Sequence, residues 1–166
     1  MTNKIIIMNN TTTNSKIINA KPGEIYKAFA SVEALEAWQA PGDMTAKIHN
    51  FDFRAGGGYE MSLYYPDDET DKSSEMKGKT KEKEDRFTTR FIELIPDKKI
   101  IEAVNFQTSD PDFMGEMLIE ITFEPVEEGT NVTFLFKNIP KGIKPEDNEA
   151  GTISSLNKLT EYVTKL

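Results

Sequence analysis

Pro140-Lys-Gly-Ile-Lys144, running into Pro145-Glu-Asp-Asn-Glu-Ala-Gly151 and then Thr152-Ile-Ser-Ser-Leu-Asn-Lys-Leu-Thr-Glu-Tyr-Val163, is the stretch on which the fold turns. The first five residues read as a turn. After it, Ile153, Leu156, Leu159 and Val163 recur at steps of three and four, the spacing of a core-facing helical stripe. This helix follows a chain that otherwise reads mostly as strands, and one long helix laid on a curved sheet is a way to build a pocket. The expected class is therefore α+β.

Upstream of the helix the alternation is that of half-buried antiparallel strands. Val132, Phe134 and Phe136 point one way in a strand over Asn131 to Lys137. Met117, Ile119, Ile121 and Phe123 alternate against Glu116, Glu120 and Glu124, and Thr108 to Gly115 before them reads as a loop. Phe87 to Ile95 and Ile100 to Phe106 form a pair about Pro96-Asp97, with Phe87 and Phe91 on one face. Pro66 to Arg86 is a charged connection. Ahead of it, Tyr59, Met61, Leu63 and Tyr65 share one face of a strand and Glu60 and Ser62 the other. That strand pairs with Ala46 to Phe53 through Arg54-Ala-Gly-Gly-Gly58, whose glycines permit backbone angles other residues resist.

Two short helices come earlier: one opening at Pro22 with Ile25, Tyr26, Ala28 and Phe29 on its apolar face, and one over Val32 to Trp38, stopped by Pro41-Gly42. Lys4 to Met8 and Ser15 to Asn19 read as β, joined by a polar Asn/Thr run that is either a turn or a bulged continuation. The order is strand, two short helices, about six strands and a long helix, in a single domain over residues 1–166. There is no internal repeat.

Composition bounds the function. With 28 acidic against 20 basic residues the net charge is -8, which repels phosphate backbones and anionic membrane surfaces, so nucleic-acid binding is not expected. No cysteine is present, and no apolar run approaches the roughly 18 residues of a membrane span. The N-terminus is too short in its apolar part and too polar afterward for a secretory signal, and cytoplasmic residence is the expectation. His49 is the only histidine, which excludes multi-histidine metal sites and leaves at most one imidazole base. Asp67, Glu69 and Asp71 imitate the start of a calcium loop, but Lys72 and Gly78 stand where its glycine and closing glutamate belong. Lys77, Lys79, Lys81 and Lys83 alternate as on a protected edge strand. No Gly-Lys-Ser/Thr follows Gly56 to Gly58, so a hairpin turn rather than a phosphate loop is expected there. Neither metal nor cofactor is expected.

Several segments together resemble a known family. Ile18-Asn-Ala-Lys-Pro22-Gly-Glu-Ile25-Tyr-Lys-Ala28-Phe, Trp38 with Pro41, and Phe53-Arg-Ala-Gly-Gly-Gly-Tyr59 are three of them; Arg90-Phe-Ile-Glu-Leu-Ile-Pro96, Ile100-Ile-Glu-Ala and Ile139-Pro through Gly151 are the others. In this order they resemble the START-like, helix-grip SRPBCC superfamily. Within it they are most similar to the bacterial group named for the activator of heat-shock-protein-ninety ATPase, and Pro145-Glu-Asp-Asn-Glu before a Ser-Ser-Leu helix is similar to a polyketide cyclase/dehydrase-like subgroup. The wider family often has Trp after the glycine at the head of the last helix; Thr152 stands there in this chain.

The resemblance implies a seven-stranded antiparallel sheet gripping the C-terminal helix around an apolar cavity that takes a small hydrophobic or amphipathic ligand. A dry cavity of roughly 300 Å³ would cost about 7 kcal/mol against a total stability of about 5 to 15. A large pocket should then contain water, a ligand or collapsed side chains. Candidate ligand contacts are Trp38, Phe53, Tyr59, Met61, Leu63, Phe87, Phe91, Phe106, Met117, Phe134, Phe136, Glu149, Ile153 and Leu156. As bare side chains the aromatic and aliphatic members are first of all core, each contributing about 1.5 to 3 kcal/mol on burial.

Two other functions stay open. The family name implies co-chaperone-like contact with a heat-shock-protein ATPase. Alternatively Glu146, Asp147 or Glu149 with His49, Tyr59 or Arg90 could supply acid–base groups for a cyclase or dehydratase, although plain helix capping also accounts for the acidic run Glu146, Asp147, Asn148 and Glu149. No catalytic signature is strong, and the chain reads as a binding protein, monomer or homodimer, before it reads as an enzyme.

Overall fold

The computed structural model describes residues 10–66 and 84–165. The expected strand over Lys4 to Met8, the acidic run at Asp67 to Asp71 and the alternating lysines from Lys77 to Lys83 lie outside the described residues. Seven strands form one antiparallel sheet in the order β1-β7-β6-β5-β4-β3-β2. They are β1 (Thr12–Ile18), β2 (Thr45–Asp52), β3 (Gly58–Tyr64), β4 (Glu84–Ile95), β5 (Lys99–Phe106), β6 (Met117–Val126) and β7 (Gly129–Lys137). From β2 to β7 every neighbour in sequence is a neighbour in space. The pairing of β1 with β7, Thr12 opposite Phe136 through Ile18 opposite Thr130, ties the start of the described chain to its last strand. Helices α1 (Pro22–Lys27), α2 (Val32–Trp38) and α3 (Pro145–Thr164) complete the fold.

Strand boundaries shift outward from those read in sequence where polar residues pair. The Asn/Thr run belongs to β1, which starts at Thr12 because that side chain is itself buried and donates to Asn148 Oδ1 at 2.5 Å. β4 starts at Glu84, not Phe87. Asp85 sits opposite Leu63 and in phase with Phe87, Thr89 and Phe91 on the inner face, so the charges hid a strand that the period continues through. The loop 108–115 contains one 3₁₀ turn, Pro111–Phe113, held by Asp110 accepting from the Asp112 N–H at 3.0 Å.

The triple glycine makes the expected hairpin. A Cβ at Gly58 would lie 2.0 Å from the Thr89 carbonyl oxygen, so the third glycine is required by the approach of β4 rather than by a phosphate. At the far edge, β2 is partly covered: the Ile48 N–H donates to the Glu36 carboxylate of α2 at 2.8 Å.

α3 lies across the inner face with Thr152, Leu156, Leu159 and Val163 buried. This corrects the stripe read from sequence, because Ile153 is 50% exposed. At about 100° per residue the three shared positions centre a face that passes within about 10° of position 152 and about 90° from position 153. Steps of three and four therefore fit either residue at the N-terminal end, and the larger hydrophobe is not the one that packs.

The flank of α3 holds the segment after α2. Ser155 Oγ donates to the Gln39 carbonyl at 2.8 Å, Ser154 Oγ accepts from the Gly42 N–H at 2.9 Å, and Lys158 Nζ donates to the carbonyls of Ala40 at 2.5 Å and Gly42 at 2.6 Å. These bonds fix the end of α2, and with it Trp38, against the sheet. Charge-assisted bonds of this kind contribute about 1.5 to 3 kcal/mol. Lys158→Met is therefore expected to lower the urea midpoint by that equivalent; an unchanged midpoint would mean that the ammonium does not hold the segment in solution.

Candidate functional site

Between α3 and the inner face of the sheet is a cavity of about 420 Å³. Its floor is set by strand period: Met61 and Leu63 come from β3, Phe87 and Thr89 from β4, Glu102, Val104 and Phe106 from β5. Met117, Ile119 and Ile121 of β6 and Phe134 and Phe136 of β7 continue it. Asn148, Thr152 and Ser155 of α3 form the roof, and Phe29 and Trp38 the back wall. Exposed Gly142 and Asp147 also border it and mark the mouth, at the head of α3.

Trp38 is fully buried yet borders the cavity. Its indole N–H donates to the Ala28 carbonyl at 2.8 Å and its ring meets Phe29 edge-on at 4.8 Å, so packing and cavity contact are the same position.

The expected residues divide into three groups, at the cavity, in the core and at the surface. Trp38, Met61, Leu63, Phe87, Phe106, Met117, Phe134 and Phe136 all border the cavity. Phe53, Tyr59 and Phe91 instead pack with one another and with Phe51 and Tyr26, at ring separations of 5.1 Å for Phe53–Phe91, 5.7 Å for Tyr59–Phe91 and 5.7 Å for Tyr26–Phe53. They fill one end of the sheet's concavity as core, and the open space is elsewhere. Leu156 is core beneath α3, while Ile153 and Glu149 face solvent.

The suggested acid–base set is not assembled. Glu146 and Glu149 are exposed. Arg90, on the outer sheet face, pairs with Glu116 at 3.2 Å. His49 Nε2 lies 3.3 Å from Ser62 Oγ on the outer face, with Ser62 fully buried beneath it, so a nucleophile there would have no access to substrate. Of the acidic run, Asp147 and Asn148 reach the cavity mouth. Among the described residues no group of three or more His, Asp or Glu side chains is arranged to hold a metal ion.

Three polar side chains that sequence reading passed over, Glu102, Thr89 and Gln39, define one part of the cavity, and the Tyr59 hydroxyl reaches them from the aromatic core. Glu102 is 4% exposed and its carboxyl makes no hydrogen bond or ion pair among the described residues; burial pushes its pKa up to about 8. The signal was present in the strand, where Ile100, Glu102, Val104 and Phe106 alternate and put a carboxyl in phase with three apolar residues. Thr89, 1% exposed, is its diagonal neighbour across the β4–β5 ladder and sits opposite Tyr59 on β3. Gln39, just after α2, borders the same space. The Tyr59 hydroxyl faces Gln39 and Thr89, and burial, then the nearby Glu102, raises its pKa above the ordinary phenol range. Yet Tyr59 Oη, Gln39 Oε1 and Thr89 Oγ1 are buried without completing a hydrogen bond of good geometry. A buried polar atom left so costs about 1 to 3 kcal/mol. Nearer the mouth Asp85, also buried, accepts from the Tyr65 hydroxyl at 3.0 Å, and Tyr65 is pushed upward by burial and by that carboxylate.

Among the described residues no helix is long and apolar enough to cross a membrane. No curated protein matches the chain. Among solved structures, a crystal structure of a protein from Chromobacterium violaceum is similar at 28% identity, covering 94% of this chain and 98% of that one with a TM-score of 0.79. A solution structure from Staphylococcus epidermidis, at 19% identity over 95% of this chain and 91% of that one, superposes with a TM-score of 0.72. A solution structure from Arthrobacter aurescens does so at 13% identity over 96% and 89%, also with a TM-score of 0.72; these two share the fold. The family model described as "Activator of Hsp90 ATPase homolog 1-like protein" matches residues 19–164, and it is to this family, a branch of the helix-grip SRPBCC proteins, that the chain belongs.

Proposed function

We propose that the protein binds a small apolar or amphipathic molecule in the space between its sheet and α3. The observation that carries the reading is the cavity itself: about 420 Å³, bordered mostly by aromatic and aliphatic side chains, with a few convergent polar groups. Ligand sites run from roughly 300 to 1,000 Å³ with that mixture. Left dry, a void of this size would cost about 10 kcal/mol, most of an ordinary domain's stability, so the space suits an occupant or solvent rather than nothing.

Gly151 supplies the test. It borders the cavity from α3, and the nearest atom to a Cβ built there is Pro41 Cβ at 3.8 Å, so a larger side chain has room to enter. Gly151→Leu removes a helix-interior glycine, worth about 0.5 to 1 kcal/mol, while placing four carbons in the mouth. In native mass spectrometry after incubation with a lipid and small-molecule extract, wild type is expected to carry a discrete added mass. The variant should melt no lower and carry none. A bare mass for wild type, or equal adducts on both, would overturn the reading.

The family's description favours a second reading, contact with a heat-shock-protein ATPase. It predicts a change in the chaperone's ATP turnover when this protein is added, and an unchanged rate would remove it. The two readings separate because the first requires a discrete small-molecule adduct that Gly151→Leu removes, whereas the second is read in the chaperone's turnover with no ligand added.

A further inference from the structure

Resting on the reading that this cavity holds a small molecule, we propose that the occupant is a lipophilic amine, its nitrogen seated against Glu102, Thr89 and Gln39 and its apolar part among the aromatic rings. Three carboxyl side chains, Asp85, Glu102 and Asp147, border the cavity, and no Lys, Arg or His among the described residues does. Among the described residues, an anionic ligand such as a fatty acid would meet carboxyl groups and no cationic side chain along the wall. Glu102, 4% exposed, makes no hydrogen bond or ion pair among the described residues.

The unpaired atoms beside it can all accept: Gln39 Oε1 is acceptor only, and Thr89 Oγ1 and Tyr59 Oη are hydroxyl oxygens. A primary ammonium brings three donors to that set and none of the lone pairs a carboxylate would add. Phe29, Trp38, Phe87 and Phe106 border the same space, and an aromatic face attracts a cation and repels an anion. An alcohol of the same length would satisfy one or two acceptors and leave the carboxyl unpaired.

The proton balance follows from the same groups. With its carboxyl pushed up to about 8, Glu102 is about nine-tenths protonated at pH 7. An incoming ammonium stabilises the carboxylate, so one carboxyl proton leaves to solvent and an ion pair remains. Among the described residues the other titratable groups around it are Tyr59 and Tyr65, both pushed upward and so neutral at pH 7, and the carboxyl side chains of Asp85 and Asp147 toward the mouth.

Trp38, the only tryptophan, borders the cavity and reports occupancy by its fluorescence. The probes are octylamine, octanol and octanoate at pH 7. Octylamine is expected to bind about tenfold or more tighter than octanol and octanoate weakest, tenfold being about 1.4 kcal/mol. Calorimetry in buffers of different ionisation enthalpy should show nearly one proton released per octylamine at pH 7, falling to about half near pH 8 and to about a tenth by pH 9. Glu102→Gln should lose the amine preference and the proton release while still binding octanol. If octanol or octanoate binds as tightly as octylamine, or if octylamine binds without proton release, the amine assignment falls and the cavity reading stands. If none of the three binds wild type, both fall. The proton count on wild type decides the matter even where the variant folds poorly.

Discussion

Glu102→Leu is expected to raise the unfolding free energy by about 5 kcal/mol above pH 8, by about 3 at pH 7 and by little near pH 4, beyond a pH-independent packing gain. The carboxyl titrates at about 8 in the folded protein against an ordinary value of 4.5. Between those values the folded state holds a proton that the unfolded state has lost, so stability falls as pH rises across the window. Below 4.5 both states are protonated and the penalty is absent; above 8 both are ionised and it is complete. Because the group is 4% exposed, solvent screens little of this.

Glu60, on the outer face, works in the opposite sense: its hydrogen bond from Arg86 at 2.9 Å holds its carboxyl below the usual range, and that contribution is lost on acidification. It is common to both proteins, so the difference between their pH–stability curves isolates Glu102. The measurement is urea unfolding of wild type and variant from pH 4 to 9. A constant difference across that range would show that Glu102 titrates normally and is reached by water. A carboxyl buried at such cost does not serve folding stability, and it is the group against which the proposed amine would sit.

The phase of α3 gives the second large effect. Leu159 is fully buried under the helix, and Leu159→Ala should cost about 3 to 4 kcal/mol through lost transfer energy and the cavity left behind. Ile153→Ala, at a half-exposed position six residues earlier, should stay within about 0.5 kcal/mol. Urea midpoints of the two variants read the helix rotation directly. Comparable losses at both sites would place Ile153 in the core, turn α3 by about a quarter of a circle, and remove Thr152 from the cavity roof.

Much of this architecture was legible because alternation is local. Tyr59, Met61 and Leu63, or Met117, Ile119, Ile121 and Phe123, declare a strand and its inward face without reference to anything distant. The same rule, applied without prejudice against charge, would have found Glu102 between Ile100 and Val104 and Asp85 two residues before Phe87. Both were passed over because a carboxylate is normally taken to mark the solvent side. Conversely the acidic head of α3 drew attention as a cluster, yet only Asp147 and Asn148 of it reach the cavity, since a helix spreads successive residues around its axis.

By itself, then, the sequence determined the order of elements, the antiparallel sheet and the closing helix, because periods of two and of three to four residues record which side of each element is apolar. Tertiary structure alone decided three things. It set the rotation of α3, choosing Thr152 over Ile153. It separated Phe53, Tyr59 and Phe91, which fill one end, from Phe87, Phe106, Phe134 and Phe136, which border open space. It also gathered Tyr59, Thr89, Glu102 and Gln39, from three strands and the end of a helix, around unpaired atoms. A cavity is the space that distant side chains fail to fill, and a buried group's acidity depends on everything around it. Neither is a property of any short stretch of chain.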